Sequence, residues 1–269
     1  MRPYLQLAAA AALSIAGLDA AASGHALLPE AELERRMAVL GDDFLITSLE
    51  GPVIDNPADW IQRRAGSYTY RYVSGSDDGK LEQTELHIPD SDKPDTVWKR
   101  RVGDNLVETF VRDQSQDVLI IEEMDLERGF RVVIRPGVHL RANMRPGDSW
   151  ENVSQLDVYD LEDGELFRNG ELKSAVTYEG AFRVRTPAGV FDTVLIREDF
   201  RLDIGPLSAE DDRFLFFARD TGLVAEIEGI KASAMLIINT RDESAKLLVD
   251  FPHNTPAEDT AAKDLSAAD

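Results

Sequence analysis

The sequence predicts a mainly β protein: a single antiparallel sheet in one domain, with one or two helices at its N-terminal end. Three observations carry this. Apolar and polar residues alternate over short windows from Ser67 to Phe251. Turn signals such as Asp78-Gly79, Glu162-Asp163-Gly164 and Asp220-Thr221-Gly222 punctuate those windows at close intervals. No helical pattern of about 12 residues separates them, which points to meanders and away from crossovers.

Taken in order, the chain of 269 residues opens on a targeting signal. Arg2 gives a positive start, residues 5–17 form an apolar run, and Ala20, Ala21, Ala22 and Ser23 are small. The run is too short for a membrane span, which needs roughly 20 apolar residues. Cleavage is expected before Ser23, with a second site after Ala26. Residues 29–40 place Leu33, Met37 and Leu40 on one helical stripe, and residues 57–64 suit a short second helix carrying Trp60 inward.

Strand patterns follow. Tyr68, Tyr70 and Tyr72 share one face, against Ser67, Thr69 and Arg71 on the other. Leu106, Glu108 and Phe110 alternate with Val107, Thr109 and Val111; Phe182 and Val184 alternate with Arg183 and Arg185. Arg168-Asn169-Gly170 and Pro187-Ala188-Gly189 read as turns. Phe214–Phe217 and Met235–Ile238 are apolar on both faces, so each needs a cover on both sides. A helix or second sheet laid across the strand meets that need; so does a hollow apolar concavity for a greasy ligand. Beyond Pro252 only Leu265 is a sizeable apolar residue, so 253–269 reads as a disordered acidic tail. The boundaries are therefore signal 1–22, β-rich domain 23–252 and tail 253–269.

Composition excludes several chemistries. With no Cys there is no disulfide, zinc knuckle, thiol nucleophile or lipid-modified Cys. A net charge of −21 argues against nucleic-acid binding. The histidines are His25, His87, His139 and His253, and no H-E-x-x-H or G-x-S-x-G motif accompanies them. His87 reads as a surface strand residue and His139 as a loop residue. Residues 74–85 match a calcium loop only at Asp78, Gly79 and Glu85, and read as a β-turn between strands. No metal site, cofactor site or catalytic residue is assigned.

Three phrases carry a resemblance: Met144-Arg145-Pro146-Gly147-Asp148-Ser149-Trp150, then residues 180–194 (GAFRVRTPAGVFDTV), then Phe216-Phe217-Ala218-Arg219-Asp220-Thr221-Gly222-Leu223-Val224. The chain resembles exported bacterial β-rich proteins of unknown function, which are similar in turn to the half-barrel folds of lipoprotein carriers. That resemblance implies a strongly curved, half-barrel-like sheet around an apolar cavity, in the bacterial periplasm. Without Cys, the chain is not itself a lipoprotein. The expected function is non-enzymatic binding of an apolar small molecule or lipid, with Tyr68, Tyr70, Tyr72, Phe214 and Phe216 as ligand-lining candidates. The alternatives are a carboxylate-dependent hydrolase or lyase, or a module that binds a protein through a sheet edge. No transmembrane segment and no nucleic-acid partner are expected.

Overall fold

A computed structural model describes residues 27–61, 64–88, 96–137, 139–204, 207–234 and 238–252. The signal segment, the tail, His25, His253 and Met235-Leu236-Ile237 lie outside the described residues. Helix α1 spans Glu30–Met37; Glu30 and Glu32 sit in its first turn and Arg35 and Arg36 in its last, matching the helix dipole. Leu33 and Met37, one turn apart, are its buried stripe. A 3-10 turn at Ala38–Leu40 continues it.

The strands are β1 (Leu45–Leu49), β2 (Gly66–Ser74), β3 (Leu81–His87), β4 (Val97–Val102), β5 (Leu106–Arg112), β6 (Val118–Asp125) and β7 (Phe130–Arg135). Longer ones follow: β8 (Ser149–Asp160), β9 (Leu166–Thr186), β10 (Gly189–Ile204), β11 (Leu207–Ala218), β12 (Gly222–Ala234) and β13 (Ile238–Asp250). From β2 onward each strand pairs antiparallel with the next. β13 then returns to β2, with Lys246 opposite Tyr72 and Leu248 opposite Tyr70. The result is a closed barrel of twelve strands, β2 to β13. β1 lies outside the ring, on the C-terminal half of β9.

This closure corrects the open, half-barrel-like sheet expected from the sequence. An open sheet exposes two unpaired edges; here the β13–β2 ladder removes them. β9 makes the ring continuous on the other side, because its 21 residues pair with β8 through the first half and with β10 along most of its length. Register shifts at Leu195/Ile196 and Phe216/Phe217 tighten the bend. Two local expectations change as well. The second helix is only a 3-10 turn, Pro57–Asp59, although Trp60 is buried as expected. Arg168-Asn169-Gly170 is not a turn but part of β9: Gly170 lies against Ile204, where a Cβ would approach Cγ1 to 2.6 Å.

The barrel has two unlike ends. Tight turns at 75–80, 103–105, 126–129 and 161–165 rim one of them. The other is filled by residues 50–61 and the 139–148 loop; the Ile54–Met144 bridge joins these two, and the Val118–Leu140 bridge ties the loop to β6. Before reaching that end, the N-terminal segment covers the outer wall. Phe44 meets Phe216 edge-on at 5.0 Å, and Arg36 lies over Phe214 while pairing with Asp212 at 2.7 Å. Leu33, Met37, Leu40, Phe214, Phe216 and Leu247 belong to one buried cluster.

Candidate functional site

Strand alternation assigns the inner wall. Along β11, Phe214 and Phe216 pack outward beneath the N-terminal cover, so Asp211, Arg213, Leu215 and Phe217 face in. Register carries that face around the ring: Arg213 opposes Glu198 and Glu228, Glu226 opposes Lys246, Arg100 opposes Glu108, and Glu108 opposes Glu123. The barrel therefore encloses a belt of charge. An apolar cluster of Val132, Ile134, Leu156, Val158, Leu202 and Ile204 packs against it.

The belt is tightly paired. Arg100 holds Glu108 with two hydrogen bonds, 2.5 and 3.0 Å. Arg213 reaches Asp211 at 2.8 Å and Glu228 at 2.7 Å. Lys246 lies between Glu82 at 2.8 Å and Glu226 at 2.9 Å, and the Tyr72 hydroxyl donates to Glu82 at 2.7 Å. These pairs surround a cavity of about 170 Å³. A second cavity of about 110 Å³ adjoins it, with Glu123, Val132 and Arg213 lining both. The larger one extends to the exposed turn residues Asn105 and Glu127, whose side chains bond across the mouth at 3.0 Å.

His139 belongs to the smaller cavity, on the loop after Pro136-Gly137. Its ring meets Phe110 and Phe217 edge-on, 5.9 and 6.1 Å between centroids. Nδ1 lies 2.8 Å from Glu198 Oε1, while Nε2 has no hydrogen-bond partner. Ser154, in the same wall, gives its hydroxyl to the Pro136 carbonyl, so it is not paired with His139 as a nucleophile.

Seven carboxyls and three bases, Arg100, Arg213 and Lys246, line the larger cavity, and burial and neighbouring charges shift four of the carboxyls. Burial, followed by the Glu108 charge, pushes Glu123 up to about 7. Glu228 also rises to about 7: burial outweighs Arg213, and the charges of Glu226 and Asp211 add to it. Burial raises Asp211 too. Glu108 and Glu226 go the other way; burial is more than offset by Arg100 in one case and by Lys246 in the other. Burial lifts the Tyr70 and Tyr72 phenols well above their ordinary range.

The residues singled out from sequence separate into two groups. Tyr70 and Tyr72 line the larger cavity. Tyr68 shares their inward face but is fully buried, its hydroxyl donated to the Arg64 carbonyl. Phe214 and Phe216 lie on the opposite side of the wall, under Phe44 and Arg36. Sequence reasoning missed Glu108, Glu123, Arg213, Glu226, Glu228 and Lys246. The available signal was acids and bases on the face opposite Phe214 and Ile227, in strands whose other face is buried. It also placed His139 in a loop without seeing its burial; His87, as expected, is exposed.

The outer wall bears a groove of about 600 Å³ beside α1, lined by Arg36, Lys173, Asp212, Lys231 and other charged residues. Asp199 and Arg201 also line it, and Glu171 and Lys99 lie elsewhere on that wall, which differs from the apolar band of a lipid-embedded barrel. Among the described residues no helix is long and apolar enough to cross a membrane, and no cluster of His, Asp and Glu is arranged to hold a metal ion.

No protein family matches the chain, and no curated protein does. Two solved structures are distantly similar. One is a candidate lipoprotein from Parabacteroides distasonis, 12% identical, covering 71% of this chain and 97% of its own, with a TM-score of 0.34. The other is a candidate exported protein with YmcC-like fold from Bacteroides fragilis, also 12% identical, covering 78% and 100%, with a TM-score of 0.39. Neither similarity is close enough to transfer a function, and the reading of this chain rests on its own barrel.

Proposed function

We propose that the chain is an exported, non-enzymatic binding protein that holds a small polar molecule inside its barrel. On this reading residues 1–22 are removed on passage to the bacterial periplasm, and the absence of Cys leaves no lipid anchor. The observation that carries it is the enclosed wall of carboxyls and bases around Glu123, Arg213 and Glu228. Burying so many ionisable groups in a core costs far more than an apolar filling would. A chamber with a mouth at Asn105 and Glu127 gives those groups something to do. Tyr70 and Tyr72 are the ligand-facing candidates kept from the sequence; Phe214 and Phe216 serve packing.

The chemistry of the chamber favours a polar guest over an acyl chain. The two cavities, about 170 and 110 Å³, are smaller than typical small-molecule sites of roughly 300 Å³ and more. Closure of the sheet also takes away the long free edge that a sheet-edge interaction module needs. One arrangement, His139 on Glu198 beside Glu123, favours the hydrolase or lyase alternative. It lacks a nucleophile paired with the imidazole.

Native mass spectrometry of the chain isolated from a periplasmic fraction tests the proposal. The expected result is the mass of residues 23–269 carrying a small polar adduct. A co-purified lipid overturns it in favour of an apolar carrier, and recovery of the chain only in the cytoplasm overturns the export.

A further inference from the structure

At about 600 Å³ the groove beside α1 is larger than either cavity inside the barrel and falls in the size range of small-molecule sites. Its charged groups reach solvent: the side chains of Arg36, Asp199 and Arg201 are 32%, 35% and 58% exposed. Strand register builds it from two parallel rows across the outer wall. In one row Ala175 pairs with Asp199, Asp199 with Asp212, and Asp212 with Gly229. The other row lies two residues along each strand, about 7 Å away. There Lys173 pairs with Arg201, Arg201 with Glu210, and Glu210 with Lys231.

Each row holds a pair of like charges in direct register, which destabilises a sheet. The acidic pair, Asp199 and Asp212, is neutralised from within. Arg197 Nε lies 3.0 Å from Asp199, and Arg36 Nη1 lies 2.7 Å from Asp212. The basic pair, Lys173 and Arg201, is not. Arg201 makes long contacts, 3.4 Å to Glu210 and 3.6 Å to Asp203, and exposed Lys173 has no ion-pair partner among the described residues. Two adjacent bases therefore face the groove, with acids alongside them.

We infer that this groove binds a small amino-alcohol phosphate, its phosphate bridging Lys173 and Arg201 and its ammonium directed at Asp199. Arg201 offers a planar fork and Lys173 a point charge, which together match a doubly charged phosphate better than a single carboxylate. A phosphate without an ammonium would meet Asp199 and the field of a chain of net charge −21. An ammonium on the same short molecule turns that acid into a partner. Among the groove's lining residues only Val153 is a large, exposed apolar residue, too little to enter a bilayer, so the phosphate belongs to a free molecule. A site on the outer wall is independent of the chamber.

An NMR titration of the isotope-labelled mature chain tests this with phosphoethanolamine, ethyl phosphate and ethanolamine, at neutral pH and about 0.15 M salt to screen the acidic surface. The expected result is saturable shifts of amides in the groove strands, with phosphoethanolamine binding at least about tenfold tighter than either half-molecule. Lys173→Gln and Arg201→Gln should each weaken it about tenfold. Asp199→Asn should remove the preference over ethyl phosphate. Ethyl phosphate binding as tightly as phosphoethanolamine to the unmodified chain overturns the zwitterion. Binding unchanged in Lys173→Gln and Arg201→Gln overturns the site, as does the absence of saturable shifts. Sedimentation with phosphatidylethanolamine vesicles overturns the free ligand. Amide spectra of the variants separate a lost site from a lost fold.

Discussion

Glu108 and Glu123 are register partners across β5 and β6, and both carboxyls face the chamber. Like charges directly opposed on a sheet destabilise it. The barrel resolves the conflict asymmetrically. Arg100 binds Glu108 and keeps it ionised, while burial and the Glu108 charge lift Glu123 to about 7. Glu228 repeats the arrangement beside Glu226.

Stability should therefore fall as pH rises from about 4.5 to about 7. In that window the folded chain holds protons on Glu123 and Glu228 that the unfolded chain has released, so the slope is negative and flattens above about 7. Each group contributes roughly 3 kcal/mol to the decline. Urea unfolding at several pH values checks it: Glu123→Gln and Glu228→Gln each remove part of the slope.

Arg100→Met leaves Glu108 as an unpaired buried carboxylate and should cost about 3–5 kcal/mol. Arg100→Met with Glu108→Gln should cost much less than the sum of the two single changes, because the pair acts as a unit. A double-mutant cycle from denaturant midpoints gives the coupling; additivity would mean that the bidentate pair is absent.

Gly137→Ala should disturb the site without touching any charge. A Cβ there would run into the Ile120 carbonyl, so the loop carrying His139 must move. The expected cost is about 1–3 kcal/mol, as for other overpacking changes. A changed His139 imidazole resonance should accompany it, and an unchanged resonance would place the loop elsewhere.

Phe216→Ala separates packing from ligand contact. Phe216 is fully buried between Phe44 and Phe182, so its loss should cost about 3–5 kcal/mol. The small polar adduct seen by native mass spectrometry should stay with the folded variant. Its loss with little loss of stability would instead put Phe216 on the ligand.

Much of the barrel was legible in the sequence, because alternation survives wherever one face of a strand is buried. Tyr68, Tyr70 and Tyr72, and the turns at Gly79 and Gly222, are local facts. Closure is not local: it depends on Lys246 meeting Tyr72 across most of the chain. Trp60 was expected to point inward and is buried. The chamber was hidden by the ordinary expectation that charged strand positions face solvent. Glu226 and Glu228 flank Ile227, and only the N-terminal cover over that outer wall shows that the acids are the inner face. His139 was hidden by its loop, since burial there comes from Phe110 and Phe217, neither adjacent in sequence.

The charged interior is tested most directly by following glutamate side-chain carboxyl carbons by NMR through a pH titration. The barrel predicts that Glu123 and Glu228 titrate with midpoints of about 7, far above the exposed glutamates. It further predicts that Glu108→Gln lowers the Glu123 midpoint, because a like charge opposite it is gone. A titration in which every glutamate, including Glu123 and Glu228, ionises near 4.5 would contradict an enclosed acidic chamber.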